Sequence, residues 1–318
     1  MEKTFIIDTS DAGQRLDKFV AAKFPQYTRV FAKQQIKLGN ILVNDQVAKP
    51  SCILRQSDCV ALAPSFVVPS KTEILPNPEI KLNIIYEDND VIAIDKPAGL
   101  AVHPRQDKRG RPLLTETSNT LVSGLLARYP LLKNIGDAPQ IRPGIVHRLD
   151  KDTSGVIIIV KNQKSFDWLK KQFKERKVEK KYLALVEGTV KNDAGEIALA
   201  LARAKSDPTR QKIAAEGKTA LTRYRVLQRF KNQTLLEVKP QTGRLHQIRV
   251  HLKWLGYPIT GDQKYGAKKQ MPLKDLSRQF LHAAELQITL PNGQKKVFQS
   301  PLSLDLKQVL QKLEKIGQ

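Results

Sequence analysis

The sequence predicts an α+β protein, a mixed or antiparallel sheet domain preceded by a smaller α+β unit. Three observations carry this. Apolar runs of strand length recur from about Leu82 to the end, with only a few helical stretches inserted between them. The segment from Ala63 to Pro78 holds Pro64, Pro69, Pro76 and Pro78, a density that argues an extended connection. The residues before it carry their own helical and strand patterns, enough for a small independent unit. The expected layout is therefore a small domain at 1–63, a linker at 64–81 and a larger domain at 82–318.

In the small unit, Leu16, Phe19 and Val20 recur at helical spacing and are followed by Pro25. A second helix carries Val30, Phe31 and Ile36 and meets Gly39, a good C-terminal cap residue. Ile41–Val43, the turn Asn44-Asp45, and Cys59–Leu62 read as short strands. In the larger unit, Leu82–Ile85 and Val91–Ile94 read as a hairpin separated by Tyr86–Asp90. Val156–Val160 is short and β-branched, a buried strand and not a helix. Phe166, Leu169 and Phe173 share one helix face. Tyr182–Val186 and Leu235–Val238 are strands, and Gln287–Leu290 with Val297-Phe298 flank the turn Asn292-Gly293. The tail from Ser303 fits a capped amphipathic helix.

Composition narrows the partners. Fifty-four Lys and Arg stand against 31 Asp and Glu, a net charge of +23 over 318 residues. Basic residues recur throughout the chain, which favours a polyanion, because each neutralised phosphate releases counterions. Apolar residues make up 41%, so a packed core is expected and wholesale disorder is not. Two cysteines, Cys52 and Cys59, form neither a disulfide framework nor a CxxC zinc pair. The N-terminal residues lack a signal-peptide apolar region. No run approaches the ~18 apolar residues of a membrane span. The reading is a cytoplasmic monomer with no membrane partner and no metal.

The chemistry concentrates in two segments. His147-Arg148-Leu149-Asp150-Lys151-Asp152-Thr153-Ser154-Gly155 places a carboxylate among basic side chains, in a tight connection feeding the Val156–Val160 strand. Arg148 and Lys151 favour the ionised form of Asp150. Such a carboxylate can attack carbon or stabilise charge on a sugar ring. An ordinary structural ion pair would look the same at this level. Nearly one hundred residues later stands Gln241-Thr242-Gly243-Arg244-Leu245-His246-Gln247-Ile248-Arg249-Val250-His251-Leu252.

Together these segments resemble the RluA-like family of pseudouridine synthases, which isomerise uridine in RNA. Arg142-Pro143-Gly144-Ile145-Val146, Asp95–Pro104, Gly261-Asp262 and Leu281-His282-Ala283 extend the resemblance. Asp95 replaces the usual Asn, and Leu245 the usual Thr or Ser. The small unit resembles the RNA-binding domain of the ribosomal S-four (αL) type, through Arg15-Leu16-Asp17-Lys18, Lys37–Asn44 and Ser57-Asp58. Asp45 stands where that family usually has Gly.

The resemblance implies roles. Asp150 is the catalytic residue, acting on either the sugar or the base. Tyr182 is the base or relay for the final proton transfer, although a phenol with pKa near ~10 is a poor base unless its surroundings lower that value. Arg249 pairs with Asp150. Arg148 props the gap left by the flipped base, and His147 helps hold the nucleotide. Arg15, Lys18, Arg29, Lys33 and Lys37 supply the RNA-facing charge of the small domain. The implied partner is large-subunit ribosomal RNA. The isomerisation consumes no redox equivalent, metal or nucleotide, so no cofactor is implied.

Other features are blander. His246 and His251 are five apart, not at metal-binding helical spacing, and are expected to pack or cap locally. Glu216-Gly217-Lys218-Thr219 lacks the earlier glycine of a phosphate loop. The nine Lys and Arg from Lys161 to Lys181, against three acids, suit a phosphate-tracking surface. Two other readings use the same features: a base-excising glycosylase, and a non-catalytic RNA-binding or ribosome-assembly protein.

Overall fold

A computed structural model describes residues 4–24, 29–63, 74–105, 113, 116–204, 206–266 and 276–316. The chain forms two compact units, one of residues 1–75 with 103–118, the other of residues 76–102 with 119–318. Pro25 and residues 64–73 of the expected linker lie outside the described residues, as do the side chains of Val30 and Phe31.

The first unit contains β1 (Thr4–Ile6), α1 (Leu16–Lys23), α2 (Arg29–Lys37), β2 (Ile41–Val43), β3 (Gln46–Val47) and β4 (Cys59–Leu62). The strands pair in the order β1-β4-β2-β3. Leu16, Phe19, Val20, Ile36, Ile41, Val60 and Leu62 meet in one core. The β2–β3 turn has φ +50° at Asn44 and +58° at Asp45. Both values are left-handed, which explains a preference for Gly there and why Asp is tolerated.

The second unit is built on one sheet. Its elements are β5 (Ile84–Glu87), β6 (Val91–Lys96), α3 (Leu121–Arg128), β7 (Ser154–Val160), α4 (Gln163–Lys174), β8 (Glu179–Glu187), β9 (Ala194–Ala198), β10 (Leu201–Arg203), β11 (Gln211–Ile213), β12 (Leu221–Arg229), β13 (Gln233–Pro240), α5 (Gln247–Trp254), β14 (Leu281–Thr289), β15 (Lys295–Gln299) and α6 (Leu304–Ile316). The sheet runs β5-β6-β7-β14-β8-β13-β12-β9, with β15 on β14, while β10 and β11 form a separate hairpin. Within this sheet β7 and β14 pair in parallel, and its other strand pairings among the described residues are antiparallel. The α+β expectation holds. So do the buried run Val156–Val160, the α4 face of Phe166 and Leu169, and the β14–β15 hairpin. Complete burial contributes about 1.5–3 kcal/mol per large aliphatic side chain, so β7 is a strong anchor.

The expected β5–β6 hairpin needs a correction. The strand runs to Glu87, and the turn is shorter than Tyr86–Asp90. Asp88 sets this limit, because its Oδ1 accepts from the Asp90 N–H (2.8 Å) and the Val91 N–H (2.7 Å). That local bonding offers the backbone an alternative to the ladder.

Register across the middle of the sheet is what positions the site. Gly155 on β7 pairs Ala283 on β14, which pairs Tyr182 on β8, which pairs Val238 on β13. Gly155 has φ +116°, and a Cβ there would run into the Ala283 backbone. Only glycine allows both the angle and the approach. No helix among the described residues is long and apolar enough to cross a membrane. Gly155→Ala is expected to cost about 2–4 kcal/mol; an unchanged urea midpoint would contradict this register.

Candidate active site

Asp150 lies in the turn that enters β7, with its carbonyl accepting the Thr153 N–H at 3.1 Å. Tyr182 stands on β8, two strands away. Arg249 projects from α5. The structure brings Arg249 to Asp150: its Nη1 donates to Asp150 Oδ2 at 2.8 Å. The same guanidinium grips a second carboxylate. Nε donates to Asp262 Oδ2 at 2.7 Å and Nη2 to Asp262 Oδ1 at 2.9 Å. This is a two-toothed Arg–carboxylate pair, which fixes the plane of the fork. The third N–H is thereby aimed at Asp150.

Burial sharpens the arrangement. The side chains of Asp262, Arg249 and Asp150 are 0%, 6% and 18% exposed. Burial alone would push the Asp262 carboxyl up. The Arg249 hydrogen bonds and charge, with the Tyr265 and Lys264 N–H groups, outweigh it and hold Asp262 below its ordinary range. Burial likewise works against the Arg249 charge, and its two carboxylate partners more than restore it. One cation between two anions leaves a net negative charge, and Asp150 is the member nearest solvent. Among the described residues both polar contacts of its carboxylate fall on Oδ2.

Helix α5 is held from its first turn. Gln247 Oε1 accepts from Thr242 Oγ1 (2.7 Å) and the Arg244 N–H (3.0 Å). Its Nε2 donates to the Leu221 carbonyl and to Thr222 Oγ1, each at 2.9 Å. Two of these bonds hold the turn before α5 and two reach β12, so Gln247 bridges them. His251 is buried between Thr222 Oγ1 (2.9 Å) and the Leu199 carbonyl (3.0 Å), so it packs as expected. His246 does more: its Nε2 lies 3.8 Å from Asp150 Oδ2.

Tyr182 is half-buried on β8. Burial, then the Asp150 charge, pushes this phenol above its ordinary range. Arg148 is exposed two residues ahead of Asp150. His147 is engaged inside the fold. It stacks on Phe173 at 4.8 Å, and its Nε2 accepts the Ile158 N–H at 2.9 Å. Burial depresses its pKa to about 3, so the ring is neutral. Among the described residues no cluster of His, Cys, Asp and Glu could hold a metal ion.

In the first unit, Arg15, Arg29 and Lys33 converge on Asp17 at 3.1, 3.1 and 3.8 Å. Asp17 is fully buried, so these cations are arranged and not merely displayed. Lys18 and Lys37 are exposed.

Sequence reasoning missed three residues of the site: Asp262, Tyr265 and His246. Asp262 was noticed only as part of a matching dipeptide. Nothing in its spacing announces a contact with α5.

A match to the RNA pseudouridylate synthase family spans residues 90–254. The chain belongs to that family. The match contains Asp150, Tyr182 and Arg249 but ends before Asp262. A match to the S4 domain spans residues 14–60. An uncharacterized RNA pseudouridine synthase of Aquifex aeolicus is 45% identical over 267 residues, covering 83% of this chain and 80% of its own. The ribosomal large subunit pseudouridine synthase D of Xanthomonas campestris is 36% identical over 319 residues, covering 97% of this chain and 91% of its own. Among solved structures, human RNA pseudouridylate synthase domain containing 1 superposes with a TM-score of 0.54 at 26% identity, covering 78% of this chain and 98% of its own.

Removing one partner of a buried pair strands the other charge, so Asp262→Asn is expected to cost about 3–5 kcal/mol at neutral pH. The folded pKa of Asp262 lies below its unfolded value. Its contribution is therefore present above the unfolded carboxylate pKa of about 3.9 and lost as pH falls through the folded value. Chemical denaturation from pH 7 down to pH 3 should show wild type and variant converging below about pH 4. A constant gap across that range would contradict the assignment.

Proposed function

We propose that this RNA pseudouridine synthase acts on large-subunit ribosomal RNA, with Asp150 as its catalytic residue. The observation that carries the reading is the Arg249 fork, which presents one N–H to Asp150 while Asp262 fixes the rest. Ribosomal large-subunit RNA is the class named for relatives similar over nearly the whole chain. The basic balance and the S4 domain suit that polyanion.

The chemistry asks little of the protein. The bond from ribose carbon 1′ to uracil nitrogen 1 breaks. The base turns, and carbon 1′ joins carbon 5. Nitrogen 1 gains a proton and carbon 5 loses one, so atoms balance without a redox partner. Asp150 must be ionised for attack, for charge stabilisation or for proton removal. Arg249 fixes one of its oxygens and places a positive charge beside it. Tyr182, held protonated by burial and by the Asp150 charge, serves as a neutral hydroxyl that passes the carbon 5 proton on, and not as a phenolate base. Exposed Arg148 fills the stack where the uridine leaves. His147 supports the same turn from inside, through Phe173 and the Ile158 N–H. Arg15, Lys18, Arg29, Lys33 and Lys37 hold RNA phosphates from the S4 domain. The chain works as a monomer.

Release of tritium from carbon 5 of uridine in ribosomal RNA transcripts tests this. Wild type should release tritium without free uracil, and Asp150→Ala should release at least about 10³-fold less while still binding RNA. Free uracil would indicate a glycosylase. An active Asp150→Ala enzyme would remove Asp150 from the reaction.

A further inference from the structure

His246 immediately precedes α5 as its N-terminal cap residue and holds a left-handed backbone, φ +54° and ψ +20°. A non-glycine residue in that region costs conformational energy and persists only where its surroundings impose it. The surroundings here are specific. Tyr265 Oη lies 2.8 Å from His246 Nδ1 and also accepts the Gln211 N–H at 2.7 Å. With one acceptor site of the hydroxyl taken by the Gln211 N–H, its remaining proton is placed to be donated to Nδ1, which selects the tautomer. Nε2 then carries the ring proton, and that N–H faces Asp150 Oδ2 at 3.8 Å. Burial depresses the His246 pKa to about 4, so the neutral tautomer persists at neutral pH.

The tyrosine is fixed in turn. Arg249 stacks on its ring at 5.1 Å. Leu201, Ala220, Val250 and Ile213 pack around it in a small apolar cluster of their own. Tyr265 therefore touches both the Arg249 fork and the β10–β11 hairpin. A separation of 3.8 Å is too long for a hydrogen bond and too short for a water to stand between. Contacts of this kind tighten when substrate closes the site.

We propose that His246 and Tyr265 are positioning residues for Asp150, and that His246 donates a hydrogen bond to Asp150 Oδ2 once RNA is bound. The proposal rests on the reading of Asp150 as the catalytic residue. With Arg249 on one side of Oδ2 and His246 on the other, rotation of the carboxylate is stopped and Oδ1 is held toward the nucleotide. The Gln211 N–H, on the basic hairpin that carries Arg203, Arg210 and Lys212, orients the phenol that fixes the imidazole.

Three variants separate positioning from mere structure. Asn suits the left-handed backbone but is too short to reach Oδ2, whereas Gln carries an N–H to about the same place. Tyr265→Phe removes one hydroxyl and leaves the ring over Arg249 and in its cluster. Single-turnover rates on tritiated ribosomal RNA, with RNA affinity measured separately, should show His246→Asn slowed about 10-fold at nearly unchanged affinity. His246→Gln should recover most of that loss, and Tyr265→Phe should be slowed to a similar degree. Because both side chains act along one path, the double variant His246→Asn/Tyr265→Phe should be no slower than the worse single. Wild-type rates in His246→Asn or in Tyr265→Phe would overturn the proposal. So would full additivity in the double variant, or a loss in His246→Asn that Gln does not relieve. Asp150→Ala run alongside keeps the two claims apart. If it is active, the reading of Asp150 fails; if it is inactive while His246→Asn is unimpaired, only the present proposal fails.

Discussion

One guanidinium shared between two carboxylates organises this site. Arg249 gives two N–H groups to Asp262 and one to Asp150. In a medium of low polarizability, an ion pair returns its desolvation cost only with good geometry and satisfied hydrogen bonds. The Asp262 pair meets both conditions, since its carboxylate also accepts the Lys264 and Tyr265 N–H groups, each at 2.9 Å. The Asp150 pair is the looser arm. It is held at one oxygen and reached by solvent.

The sheet delivers the partners to this arm. The row Gly155–Ala283–Tyr182–Val238 sets how far the Asp150 turn stands from Tyr182. Gln247 fixes the start of α5 against β12 and so sets where Arg249 emerges. These links lie on strands and at a helix start, so the site rests on rigid elements.

Much of this was legible in the sequence. Strands such as Val156–Val160 announce themselves through β-branching, and Asp150, Tyr182 and Arg249 sit in motifs that carry the family resemblance. What the sequence hid is tertiary. Asp262 lies in a turn, and its partner Arg249 lies on a helix; no periodicity links them. His246 read as a local cap because its neighbours in sequence say nothing of Tyr265 or of the hairpin donor Gln211. Asp17 stood out only as part of the Arg15-Leu16-Asp17-Lys18 motif, yet it is the buried anion around which Arg15, Arg29 and Lys33 gather. The β5 boundary slipped because Asp88 bonds its own turn, and side-chain competition of that kind leaves only a faint compositional trace.

The central claim is that geometry, beyond charge, makes Arg249 the organiser of Asp150. Arg249→Lys keeps the positive charge but cannot hold both carboxylates with a planar fork. The direct measurement is the single-turnover rate of this variant at saturating RNA. The account predicts a fall of about 10²-fold or more with RNA affinity little changed. A wild-type rate would contradict it, showing that a point charge near Asp150 is enough.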